Sequence, residues 1–131
     1  MYGWVLEGFC YNKEQIELLK TIRVKPNLVI VLDLGEEEAV RRLSNKRIDP
    51  ENGTEYNLEV NPPADEATNN RLVELVECSD EVVRKVYRNW KKSQTTIEEH
   101  FRSQIMNTPA ERTIDELQDV LLDEIDQMMK K

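Results

Sequence analysis

Cationic side chains are the residues of this chain best suited to chemistry. Arg42, Lys46 and Arg47 stand at the start of a polar segment, Arg71 follows it, and Arg84 and Arg88 lie further on. Clustered Lys and Arg neutralise phosphate oxygens, and a small phosphate ligand needs only a local basic pocket. The chain as a whole is acidic, with 26 Asp and Glu against 18 Lys and Arg and a net charge of −8. That balance argues against nucleic acid or an anionic membrane as a partner. Lys46 and Arg47 also have a plainer reading, as a basic hairpin base paired with Glu51 or Glu55. Cys10 and Cys78 form no metal spacing and no disulfide framework, which fits a reducing compartment, and His100 stands alone on a polar stretch.

Hydrophobic spacing gives the elements that must position these residues. Trp4-Val5-Leu6 reads as a short strand running into a turn at Glu7-Gly8-Phe9. Asn12 and Gln15 have capping-box spacing, and Ile16, Leu18, Leu19 and Ile22 give the next helix a buried side. Leu28–Leu32 is apolar without alternation, as in an interior parallel strand covered on both faces. Gly35 and three glutamates open a helix, where acidic side chains suit the partial positive charge of the unpaired N–H groups. Asn52-Gly53 between polar arms signals a hairpin, and Asn61-Pro62-Pro63 ends it. The pattern from Thr68 to about Phe101 is helical, with a break at Cys78-Ser79. A last short strand is expected around Ile105-Met106, and Thr113-Ile114-Asp115-Glu116 is a capping box that opens a final amphipathic helix. Alternating strands and helices imply a helix-rich α/β domain with a parallel sheet. No apolar run approaches the ~20 residues of a membrane span, and Met1-Tyr2-Gly3-Trp4 lacks the basic start of a signal peptide.

Gly3 through Gln15 resembles the adenylate kinase signature G-[WFY]-[VIL]-L-D-G-F-P-R-[TN]-x-x-Q. Leu28–Leu32 resembles that family's next strand. Arg42 through Tyr56, followed by Asn61-Pro62-Pro63, resembles its lid, the hairpin that folds over ATP. Ile105-Met106-Asn107 and Thr113 through Leu117 resemble its last strand and helix. The resemblance implies a single partial domain over 1–131. Its core elements lie in 1–45 and 102–131, its lid at about 46–63 and a long helical segment at about 68–101. It implies a partial three-layer P-loop-kinase fold lacking the N-terminal strand, the phosphate loop and the AMP-binding helices.

The same resemblance assigns roles. Glu7 stands where the family has an aspartate that helps hold Mg²⁺ through water. Gly8 belongs to the nucleotide-binding signature. Gln15 matches the glutamine that reads the adenine of AMP, and Arg42 an arginine that stacks on the ATP adenine. Lys46 and Arg47 match phosphate-facing arginines of the lid, although an ammonium lacks the bidentate fork. The implied ligands are ATP with Mg²⁺ and AMP or another nucleoside monophosphate, with the N-terminal half of the domain upstream. The long helical stretch is similar to multidomain and ciliary members. It adds protein partners in a larger assembly, and a cilium or flagellum beside the cytoplasm, to the expectations.

Departures from the pattern weigh against catalysis. Tyr11 replaces the arginine that holds the AMP phosphate, and Cys10 replaces the preceding proline. Leu75 and Val86 fall where two arginines grip the transferring phosphoryl group. Arg71, Arg84 and Arg88 are the nearby substitutes, but Arg88 points roughly 200° around the helix from Val86. No G-x-x-x-x-G-K-[ST] occurs. The expectation is a segment of a nucleoside monophosphate kinase that is inactive as this isolated chain. The alternative is a degenerate kinase-like domain used for structure or docking. In the family's sheet a further strand lies between those expected at Trp4–Leu6 and Leu28–Leu32, so a slot with unpaired backbone groups is expected there.

Overall fold

The computed structural model describes residues 3–130, so Met1 and Tyr2 of the stretch examined for a signal peptide lie outside it. The fold is α/β and helix-rich, with a small parallel sheet. The chain divides into two compact units, one holding the chain up to Asp33 and again from Asn89, the other Leu34–Arg88.

In the first unit, Asn12 starts helix α1 (Lys13–Thr21) by accepting the Gln15 N–H on its side chain at 2.9 Å. The far end closes without glycine. Arg23 adopts a left-handed φ of 57°, its N–H bonds the Lys20 carbonyl, and the Val24 N–H reaches back to the Leu19 carbonyl. Ile16 and Leu19 are buried with Cys10 and Phe101, and Phe9, Val24, Val29 and Ile97 pack around them. Leu18 and Ile22 were expected on the same face but are 50% and 56% exposed. Leu18 lies about 200° around the helix from Ile16.

Strand β1 (Val29–Asp33) and strand β5 (Ile105–Pro109) pair in parallel, with Val29 opposite Ile105 and Asp33 opposite Pro109. Among the described residues these two strands are the whole of this sheet. Only Val31 of β1 is fully buried and Leu32 is 45% exposed, so the strand is not covered on both faces as its sequence suggested. Trp4-Val5-Leu6 is not a strand. It is irregular chain, with Val5 96% exposed, because no ladder takes up its backbone groups. Helix α5 (Ile114–Met129) begins with the complete capping box of Thr113 and Glu116. None of its residues is fully buried, and Ile114, expected on the apolar packed face, is 83% exposed.

The second unit opens with helix α2 (Glu36–Ser44), whose N-cap is Gly35. Strands β2 (Lys46–Ile48) and β3 (Glu55–Asn57) form the antiparallel hairpin. Its turn uses a left-handed Gly53, at φ 73°, and the Asn52 side chain accepts the Thr54 N–H. Asp49, fully buried, accepts two hydrogen bonds from Arg71 at 2.8 and 2.6 Å and one from the Glu51 N–H at 3.0 Å. Arg71 ends helix α3 (Glu66–Arg71), which Asp65 caps, so this pair ties α3 to the hairpin. The stretch expected to be helical from Thr68 is interrupted. Strand β4 (Val73–Glu74) adds to the free side of β2, and this pairing satisfies backbone groups that a helix would otherwise need. A 3₁₀ turn at Val76–Cys78 follows, and helix α4 (Asp80–His100) restarts just after Ser79, as the sequence suggested.

Ile16 is 1% exposed at the centre of the first unit's core. Ile16→Ala is expected to cost about 2–5 kcal/mol of stability, checked by urea unfolding followed by far-UV circular dichroism. Thr113→Ala, which removes the α5 cap, is expected to cost about 1 kcal/mol by the same measurement.

Candidate functional site

The candidate residues divide between the two units, with Glu7, Gly8 and Gln15 in the first and Arg42, Lys46, Arg47, Arg84 and Arg88 in the second. Gly8 has a left-handed φ of 67°, and a Cβ built there would meet the Tyr11 hydroxyl oxygen at 3.5 Å. Cys10 shares the left-handed conformation at φ 71°, so the chain turns sharply on both sides of Phe9. Burial pushes the Cys10 thiol up. Glu7 is exposed. Gln15 accepts the Tyr11 N–H on its Oε1 at 2.7 Å, so its side-chain carbonyl stabilises the helix entry. The Tyr11 side chain is 46% exposed.

In the second unit the arginines other than Arg47 are held by carboxylates. Arg84 donates through Nε and Nη2 to Asp80 at 2.9 and 3.3 Å. Through Nη1 and Nη2 it donates to Glu37 at 2.6 and 2.9 Å, and Nη1 also reaches Glu36 at 3.3 Å. Arg88 shares Glu36, at 3.1 Å. Glu38 accepts from Arg41 at 2.7 and 2.8 Å and from Arg42 at 2.7 Å. Arg41 also pairs with Glu59. Lys46 meets Glu55 at 2.7 Å, one of the two partners its sequence position suggested. Arg47 points back to backbone, donating from Nη1 to the carbonyls of Ser44 and Lys46 at 2.7 and 2.8 Å. Val86 is 61% exposed and carries no charge to add.

Glu36, Glu37, Glu38 and Asp80 therefore belong to the candidate site, although none of them was assigned a site role from the sequence. The Asp80–Arg84 spacing of four residues on one helix was a readable signal. The pairing of Arg84 with Glu36 and Glu37, far away in sequence, was not.

Comparison with known proteins shows what the chain is similar to. No family model matches the chain. It is 26% identical over 113 residues to a chloroplastic adenylate kinase of Zea mays, covering 86% of this chain and 51% of that protein. An adenylate kinase of Natronomonas pharaonis is 41% identical over 81 residues, which is 62% of this chain and 39% of that protein. One from Coxiella burnetii is 28% identical over 103 residues, 76% of this chain and 45% of the relative.

The chain is adenylate-kinase-like.

It fits the C-terminal part of such a kinase and spans about half the length, or less, of these relatives. Mg²⁺ in nucleotide sites is commonly held by one or two carboxylates together with substrate phosphates. Glu7 is a single exposed carboxylate, and among the described residues no group of three or more His, Cys, Asp or Glu could hold a metal ion. No described helix of the adenylate-kinase-like chain is long and apolar enough to cross a membrane.

The ion pairs set the acid response of its second unit. Hydrogen bonds from Arg41, then Arg42, hold the Glu38 carboxyl at about 2, against an ordinary 4.5. A carboxyl depressed in the folded state contributes its stability in full above its ordinary value and loses it as pH falls through the folded value. Loss is therefore expected between about pH 4.5 and about pH 2. Urea midpoints across that range should fall more steeply for the unaltered chain than for Glu38→Gln, and equal slopes would contradict the pairing.

Proposed function

We propose that this chain is the lid-bearing C-terminal portion of an adenylate-kinase-like nucleoside monophosphate kinase, and that alone it does not transfer a phosphoryl group. In an intact relative of this kind the reaction is ATP plus a nucleoside monophosphate to ADP plus a nucleoside diphosphate. The observation that carries the proposal is similarity to adenylate kinases over 76–86% of this chain but only 45–51% of two of those proteins. Phosphoryl transfer depends on positioning and on neutralising phosphate charge. In this reading Gln15 hydrogen-bonds the base of AMP, and Arg42 stacks on the ATP adenine. The hairpin at about 46–63 closes over ATP, with Lys46 and Arg47 facing its phosphates. Arg84 and Arg88 are the remaining catalytic candidates, and Glu7 orients water on Mg²⁺, which neutralises phosphate charge when bound.

A second reading, a kinase-like domain kept for docking, is favoured by one observation. The uncharged Leu75 and Val86 stand where phosphate-gripping arginines are expected, while Arg84 is taken up by Glu36, Glu37 and Asp80. A cytoplasmic setting goes with either reading. The ciliary setting goes with the second and has no support among the relatives described.

The purified chain with ATP, AMP and Mg²⁺ is expected to give no ADP in a coupled assay, and sustained ADP formation would overturn the inactivity. Thermal unfolding separates the readings. A ligand that binds only the folded state at a hundred times its Kd adds about 2.7 kcal/mol. A rise in Tm with millimolar ATP or AMP supports retained nucleotide binding, and an unchanged Tm means that the chain alone binds neither.

A further inference from the structure

The guanidinium of Arg84 has two edges that can grip an oxyanion with paired donors, Nε with Nη2 and Nη1 with Nη2. Both are taken from within the unit. Asp80 fills the first at 2.9 and 3.3 Å, and Glu37 fills the second at 2.6 and 2.9 Å. Glu36 then bridges Arg84 to Arg88 at 3.3 and 3.1 Å. The side chain of Arg84 is 26% exposed, as is that of Glu36, whereas those of Glu37 and Asp80 are 82% and 61% exposed. The cation is thus recessed, and two of its partners face solvent. A phosphate oxygen presents to an arginine the same two-acceptor edge that a carboxylate does. It can reach Arg84 only by taking the place of Glu37 or Asp80.

We propose that Glu36, Glu37 and Asp80 form an internal carboxylate clamp that competes with phosphate groups for Arg84 and Arg88 and keeps this segment's affinity for polyphosphate low. The clamp rests on the reading of Arg84 as a phosphate-facing residue, and it adds that the chain itself suppresses that role. The ligand class is a di- or triphosphate, free or in a nucleotide. Glu37 is the gate, because it holds a whole edge of the guanidinium and is the most exposed of the three carboxylates.

The test is isothermal titration of the whole chain with inorganic tripolyphosphate, and separately with ATP, at fixed ionic strength. The variants are Glu37→Gln and Glu37→Gln/Asp80→Asn, each with and without Arg84→Gln, and Arg84→Gln alone. Glu66→Gln serves as a control that removes one exposed negative charge elsewhere in the unit. A single exposed ion pair shifts an equilibrium by no more than about fivefold, so releasing two should tighten binding roughly three- to tenfold. The expected result is that gain in the double variant, a smaller gain in Glu37→Gln, little change in Glu66→Gln, and loss of the gain when Arg84→Gln is added. A gain for ATP alone would assign the site to the nucleotide, and an equal gain for both ligands would assign it to the phosphates. The clamp is overturned if the double variant binds no more tightly than Glu66→Gln. In that case, weaker binding by Arg84→Gln in the otherwise unaltered chain would leave Arg84 as a phosphate contact without a clamp. No effect of Arg84→Gln in any background would remove the phosphate-facing reading as well. Glu37→Gln changes only an exposed side chain, so it stays informative if Asp80→Asn disturbs the start of α4.

Discussion

The pairing of guanidinium with carboxylate is the interaction on which the Leu34–Arg88 unit depends. Three consecutive glutamates at the start of α2 engage four arginines: Glu36 takes Arg84 and Arg88, Glu37 takes Arg84, and Glu38 takes Arg41 and Arg42. These glutamates also sit where the helix presents unpaired N–H groups, so one short acidic run answers the helix dipole and the arginines together. The Asp49–Arg71 pair does comparable work at the hairpin, where a fully buried carboxylate has the two-point contact it needs to remain charged. Its pKa is lowered chiefly by the Arg71 hydrogen bonds.

The consequence for function follows from the donor count. A kinase site needs arginines with donors open toward phosphate, because charge neutralisation and positioning supply most of its catalysis. Here Arg84 directs its donors to Asp80, Glu36 and Glu37, and Lys46 meets Glu55. The sequence similarity and the electrostatics therefore point in different directions. Similarity ties the chain to adenylate kinases, while Arg42, Lys46, Arg47, Arg84 and Arg88, its candidate phosphate-facing cations, each meet acceptors of this chain.

Much of the fold was legible in the sequence. The Asn12 and Thr113 caps, the Asn52-Gly53 turn, the restart of helix after Ser79 and the apolar run Leu28–Leu32, which forms its strand at Val29–Asp33, are local signals, and each is written in a few adjacent residues. What was not legible depends on partners. Trp4–Leu6 has the composition of a strand and lacks a ladder to join, so it stays irregular. Val73–Glu74 sits in a helical pattern and becomes a strand because β2 offers it an edge. The candidate site follows the same rule. Its cations could be named from the sequence, and Lys46–Glu55 could be anticipated within one hairpin. Meetings between side chains about fifty residues apart, such as Arg84 with Glu36 and Glu37, leave no mark in the spacing.

The central claim is that Arg84 is held on both edges by this chain's own carboxylates. The most direct measurement is the NMR spectrum of the arginine side chains of the unaltered protein near neutral pH, with Arg84 assigned by substitution. Two-edge pairing predicts a guanidinium whose rotation is hindered, with resolved Nη resonances and a slowly exchanging Nε–H. An averaged, rapidly exchanging Arg84 signal, like that of an arginine free in solvent, would contradict it.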